Sequence, residues 1–223
     1  MTIKALPDPK SIRTTTAWDE LLKALSTGVK RQVEEIRIPV VPIVAMTGNE
    51  PPASKQYQDA IAVLYGIAYG IKMGLKFRKL PRPNEYFDFR VGALGSLWWS
   101  SSGEIDITDA RTLRWQAYLM LPRFATLKLV DAARSAAKAR KPDLPYDAAT
   151  FTTLKEGRSV QILHIGPYDK EEPTIEMLHD YMVAHHLLQN GKHHEIYISD
   201  PRRTKPEKLK TVIRFPVKAA SKP

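Results

Sequence analysis

The chain has 223 residues, with 34 Lys and Arg against 24 Asp and Glu, a formal net charge of +10 and no cysteine. That length is enough for a real core in one large domain or two lobes, and the missing thiols exclude disulfides, cysteine nucleophiles and cysteine-ligated metals. No run of about 18 apolar residues is present and MTIKALPDPK lacks a secretory apolar core, so a cytoplasmic protein with no membrane partner is expected.

In chain order, residues 1–34 carry one short helical pattern, Trp18, Leu21, Leu22 and Leu25, ended by Gly28. This N-terminal extension is too small for a helix-turn-helix reader. From Glu35 the pattern is strand, turn, helix, strand: EIRIPVVPIVAMTG, NEPPAS, Tyr57 to Lys72, then YFDFRVGALG. The helix sets Tyr57, Ile61, Leu64, Tyr65, Ala68 and Ile71 on one face. Gly66, Gly70 and Gly74 at four-residue spacing permit close packing there and are not a phosphate loop. Trp98 and Trp99 are adjacent in a strand, so they point to opposite faces and at most one is core. Trp115 and Tyr118 open another apolar run, WQAYLMLP.

LKLVDAARSAAKARKP reads as an amphipathic helix with a solvated basic face, stopped by Pro142. Basic residues are otherwise spread along the chain, with a second local density at Arg202 to Lys210, and this distribution argues against nucleic acid as primary partner. A second unit then repeats the first: strand SVQILHIG, acidic turn PYDKEEP, a helix from Thr174 to His186, and strands HHEIYISD and LKTVIRFPV. Each half has a strand ending at Gly before an acidic, proline-bearing turn into a helix. The expected division is an extension over 1–34, two repeats over about 35–125 and 150–217 within a 35–217 domain, and a tail over 218–223.

In HHEIYISD, alternation puts Ile196 and Ile198 on one face and Glu195 and Tyr197 on the other. Glu195 therefore either sits on a solvated surface or lines a ligand face. Partial burial beside aromatic groups raises a carboxyl's proton affinity, which suits such a residue to proton abstraction or to pairing with a ligand cation. The histidines do not form HExxH on a helix, so no metal and no cofactor is expected. His164, on a strand beside Gly166, fits either a ligand wall or a core position.

With these segments assembled, the chain resembles the GyrI-like small-molecule-binding family, in the stand-alone branch that includes cyclopropanoid cyclopropyl hydrolases. The matching stretches are PPASKQYQDAIAVLYGIAYGIK, LWW, and EGRSVQILHIGPYDKEEPTIEMLHDYM through HHEIYISDPRRTKPEKLKTVIR. The resemblance implies an α+β fold of tandem, pseudo-symmetric βαββ units of the SHS2 type, with a ligand cleft between two antiparallel sheets. It implies that Glu195 is the central cleft glutamate, assisted by Tyr197, and that Trp98, Trp99, Tyr168 and Tyr197 belong to aromatic walls, to which Trp115, Tyr118, Tyr65 and His164 are added as candidates. Where relatives read LEGLWW this chain has Leu94-Gly95-Ser96-Leu97-Trp98-Trp99, with Gly95 at the acidic position.

The activity implied is metal-free addition of water to electrophilic, cyclopropane-bearing natural products, the partner being a planar or lipophilic small molecule. The alternatives are sequestration of lipophilic cations without turnover, or inhibition of a partner protein by direct contact.

Overall fold

A computed structural model describes residues 3–102 and 111–220. In chain order the elements are β1 (Lys4–Ala5), α1 (Thr15–Leu25), β2 (Glu34–Ile38), β3 (Val41–Gly48), α2 (Lys55–Lys76), β4 (Leu94–Ser100), β5 (Leu113–Met120), α3 (Leu127–Arg140), β6 (Thr150–Leu154), β7 (Gly157–Ile165), α4 (Glu172–Ala184), β8 (Leu187–Gln189), β9 (His193–Tyr197) and β10 (Lys210–Ala219). The expected repeat is visible in the pairing. The first unit, β3-α2-β4-β5, gives strand order β4-β5-β3, and the second, β7-α4-β9-β10, gives β9-β10-β7.

The two units do not hold separate sheets. Their edge strands β4 and β9 pair antiparallel, so the order is β1-β2-β7-β10-β9-β4-β5-β3-β6 in one curled sheet, with β8 pairing the end of β10 off this path. Each unit would otherwise expose a row of unpaired backbone groups at that edge, and joining them satisfies both rows. The fold is α+β, with helices α2 and α4 on the same face of the sheet.

α2 forms because Ser54 caps it, its hydroxyl accepting from the Tyr57 amide at 3.2 Å, after Pro51 and Pro52 in the preceding turn. It packs on β3 and β5 and lies close to α3, where the Cβ of Ala133 would be only 3.3 Å from a Cβ at Gly70. The glycine spacing thus serves helix contact. α4 buries Leu178 and Met182 against Val160, Ile162, Ile213 and Phe215. Burying such side chains stabilises by about 1.5–3 kcal/mol each. The larger core lies around α2 and includes Trp115, Leu64, Ile67 and Ile71. Between α2 and α4, strands β4 and β9 form the floor of a groove.

Three elements differ from the sequence expectation. EIRIPVVPIVAMTG splits at Pro39 into β2, which pairs with β7, and β3, which pairs with β5 and β6. Residues 86–93 are not a strand; Phe87 and Phe89 pack edge-on against Phe124. β10 continues to Ala219, beyond the start of the expected tail, and 221–223 lie outside the described residues. Among the described residues no helix is long and apolar enough to cross a membrane.

Candidate functional site

The β4–β9 ladder pairs Leu94 with Tyr197, Ser96 with Glu195 and Trp98 with His193. Because strand side chains alternate, these six share the face that looks up between α2 and α4. Glu195 sits at the middle. Its Oε2 accepts from the Tyr197 hydroxyl at 2.7 Å and its Oε1 lies 2.9 Å from His193 Nε2, which must carry the proton to donate. The Tyr197 oxygen in turn accepts from the Trp98 indole N–H at 3.1 Å. Tyr57, from the first turn of α2, bonds Ser96 Oγ at 2.6 Å and holds its ring 5.4 Å from Trp98. Tyr168 meets Tyr197 edge-on at 5.8 Å. The groove above this floor, about 2510 Å³ in all, is walled by Ile61 and Tyr65 of α2, by Tyr168, Glu171 and Ile175 at the start of α4, and by the loop after β9, and it runs out along α2.

Glu171 is the residue of this site least expected from its local position. It occupies the N-cap of α4 yet makes no capping hydrogen bond. Its side chain is buried instead, with Oε1 unpartnered. Burial first, and then the negative charge of Glu195, hold its carboxyl well above the usual carboxylate range. One donor atom each from Glu171, His193 and Glu195 lies within 4.8 Å of the others. Such a set has the ligand types a divalent cation uses. As arranged, His193 Nε2 is hydrogen-bonded to Glu195, and the Glu171 carboxyl lies beside that pair, held neutral by burial and by the Glu195 charge. Burial pushes the Tyr57 and Tyr168 hydroxyls up to about 12 and Tyr197 well above its ordinary value. All three are therefore hydrogen-bond donors near neutral pH.

Of the residues singled out from sequence, Glu195, Tyr197, Trp98, Tyr168 and Tyr65 come together in the groove. Four others do not line it. Trp115 shares the face but is fully buried beneath Tyr57, with its indole donating to the Glu50 carbonyl at 2.8 Å. Trp99 points to the opposite face, where the Lys192 ammonium sits 3.1 Å from its ring centre. Tyr118 is also behind the sheet, its hydroxyl 2.6 Å from His194 Nε2. His164 is on the α4 side, buried, with Nδ1 2.8 Å from Thr174 Oγ1. The reason is the same for Trp99 and Tyr118: the alternation that turns Trp98 and Glu195 inward turns their neighbours outward.

Gly95 belongs with this second set. A Cβ there would approach the Tyr118 ring to 2.4 Å, so the position faces away from the groove and could not present a carboxylate to a ligand. Sequence reasoning missed Tyr57, Glu171 and His193. The signals were present but ambiguous: Tyr57 in an apolar helix stripe, Glu171 among the acids of PYDKEEP, and His193 two residues before Glu195.

Behind the floor lies a buried polar network that fixes β9. Glu156 accepts from His194 Nδ1 at 2.7 Å and from Arg214 at 3.3 Å, while Arg214 also donates to Gln161 and to the Leu25 carbonyl at the end of α1. Burial opposes charge on Glu156, but His194 and Arg214 outweigh it and hold the carboxyl below its ordinary value. Breaking such a pair on one side leaves a buried charge alone, which makes the strand carrying Glu195 costly to displace.

Residues 133–218 match the family described as a GyrI-like small molecule binding domain. Among solved structures, one described as a hydrolase from Listeria innocua is 34% identical, with 85% of this chain and 93% of that one covered and a TM-score of 0.76. An uncharacterized conserved protein from Listeria innocua is 35% identical over 88% of this chain and 98% of that one, with a TM-score of 0.80. The C-terminal domain of EcmrR, at 14% identity, 85% and 98% coverage and a TM-score of 0.53, shares the fold. No protein of curated function matches the chain.

Proposed function

The chain belongs to the GyrI-like small-molecule-binding family, and from that premise we propose that it is a hydrolase adding water to electrophilic, cyclopropane-bearing natural products. The observation that carries this reading is the pairing of Glu195 with a buried, neutral Glu171 on the floor of an aromatic groove. Two carboxyls in unlike environments are suited to act as base and acid on one substrate.

A flat ligand would rest on Trp98 and Tyr197 with Tyr168 and Tyr65 at its flanks, each aromatic contact adding about 0.5–1.5 kcal/mol beyond area burial. Glu195 takes a proton from water as the water oxygen bonds to a cyclopropane carbon. The ring carbon–carbon bond breaks, and its electron pair passes into the conjugated acceptor, which receives a proton from Glu171. The product is a ring-opened alcohol. Glu195 then holds the proton that Glu171 lost, and exchange with solvent restores both. General acid and base groups of this kind contribute about 10²–10⁴ each in rate. The hydrogen bonds from Tyr197 and His193 fix the Glu195 carboxylate for this task.

The test is mass spectrometry of a cyclopropane-bearing DNA-alkylating natural product incubated with wild type and Glu195→Gln. A water adduct formed by wild type and lost in the variant supports the reading; an unchanged compound in both refutes it. A second reading, sequestration of lipophilic cations, draws on the same aromatic floor and its carboxylate. It requires Glu195→Gln to lose affinity for a cationic dye, whereas the hydrolase loses turnover and keeps most of its affinity for a neutral ligand.

A further inference from the structure

Directly behind Glu171 lies a polar group that the groove chemistry leaves unused. His164 on β7 and Thr211 on β10 are register partners, and both face α4. His164 Nε2, Thr211 Oγ1 and Glu171 Oε1 are three of the five buried side-chain atoms without a hydrogen-bond partner among the described residues. Their residues are 6%, 0% and 6% exposed. His164 and Glu171 are linked through the first turn of α4: His164 Nδ1 bonds Thr174 Oγ1, and the Thr174 amide donates to the Glu171 carbonyl at 2.9 Å. Thr211 lies close enough to Glu171 to favour its ionised form, but outside hydrogen-bond geometry.

The internal symmetry shows how this spot differs from its counterpart in the first unit. The five-residue β4–β9 ladder is centred on Ser96 and Glu195, so the pseudo-twofold relates Trp98 to Tyr197. Trp115, the β5 partner of Trp98, then corresponds to Thr211, the β10 partner of Tyr197. In the first unit the indole of Trp115 fills the space and donates to Glu50. In the second, the smaller Thr211 faces His164 where the first unit sets the Trp115 ring over Gly48, and each of these two polar side chains keeps an atom without a partner. Gly166 contributes as well, since a Cβ there would come within 3.0 Å of His164 Nε2, and its φ of +150° favours glycine.

We infer that Glu171, Thr211 and His164 bind one water molecule behind the carboxyl pair, and that this water positions Glu171 as the proton donor. Buried waters typically make about three hydrogen bonds to otherwise unsatisfied groups. In the tautomer whose Nδ1–H donates to Thr174, Nε2 is an acceptor. The water donates to Nε2 and to the unprotonated oxygen of Glu171, and accepts from Thr211, which leaves the Glu171 O–H directed at the groove. Thr211 and His164 are thus positioning residues for the hydrolysis proposed above, and the role in positioning rests on that reading.

The test is a high-resolution crystal structure of the full chain and of Thr211→Val, with turnover measured on the compound named above for both and for Thr211→Ser. The expected result is a water peak within hydrogen-bond distance of all three atoms in wild type and absent in Thr211→Val, whose kcat falls about tenfold, the size of one lost hydrogen bond. KM should be unchanged, and Thr211→Ser should restore both peak and kcat. No peak in wild type, a direct Glu171–Thr211 hydrogen bond in its place, or a Thr211→Val kcat equal to wild type overturns the inference. Absence of turnover in wild type would remove the hydrolase reading alone, because the electron density decides the water site without it.

Discussion

Replacing Glu171 with Gln should make the protein more stable, and increasingly so as pH rises. The donor atoms of Glu171 and Glu195 lie within 4.8 Å. Two like charges at that separation repel by about 3.5 kcal/mol at an effective dielectric of about 20, and water in the groove reduces this to about 2 kcal/mol. The Glu171 carboxyl binds its proton more tightly folded than unfolded, because burial and then Glu195 disfavour its charge. From the ordinary value of 4.5 upward the unfolded chain releases that proton first, so stability falls with rising pH until the folded carboxyl also ionises. Glutamine has nothing to release. The gain in melting temperature of Glu171→Gln over wild type should therefore be small near pH 4 and grow to about 4–8 °C by pH 8, for a chain of this size. Thermal unfolding in matched buffers from pH 4 to 9 measures it. A gap that is flat with pH, or a variant less stable than wild type at pH 8, would refute the assignment of a strained neutral carboxyl. The same variant should lose turnover, since an amide cannot donate the proton.

Glu156→Gln should act oppositely, lowering stability by about 3–5 kcal/mol because it strands the buried Arg214 charge. Urea unfolding at neutral pH reads this directly. In wild type, the lowered Glu156 value gives stability that is present above 4.5 and lost as pH falls through the folded pKa; His194, whose affinity for a proton burial depresses, makes stability fall from about 6.5 downward. Urea midpoints should decline from pH 7 to 4, and the further loss below 4.5 that Glu156 contributes should be absent in Glu156→Gln. Gly95→Ala should destabilise by about 1–3 kcal/mol through collision with the Tyr118 ring while ligand affinity by fluorescence titration stays unchanged, because the methyl lies behind the sheet. Tyr197→Phe removes a donor to Glu195 and the acceptor of the Trp98 indole, so kcat should fall about tenfold with affinity altered less; equal losses in both would argue for a purely structural hydroxyl.

The sequence by itself determined the local units. Period-3.6 stripes gave α2 and α4, period-2 alternation turned Glu195 and Tyr197 to the side opposite Ile196, and the shared order of the halves gave the repeat, because these follow from backbone geometry within a few residues. Only the tertiary structure decided the rest. The joining of β4 to β9 depends on two edges about a hundred residues apart, and it is that pairing which sets Trp98 and Ser96 beside Glu195. Trp99, Tyr118 and Gly95 lie behind the sheet for the same reason, although the sequence offered them beside Trp98 and Glu195 on equal terms. Glu171 became a member of the site through the depth at which the α4 cap meets β9. Burial and proximity to a second charge are properties of packed chains, and no local pattern in PYDKEEP distinguishes the acid that is buried from those that face water.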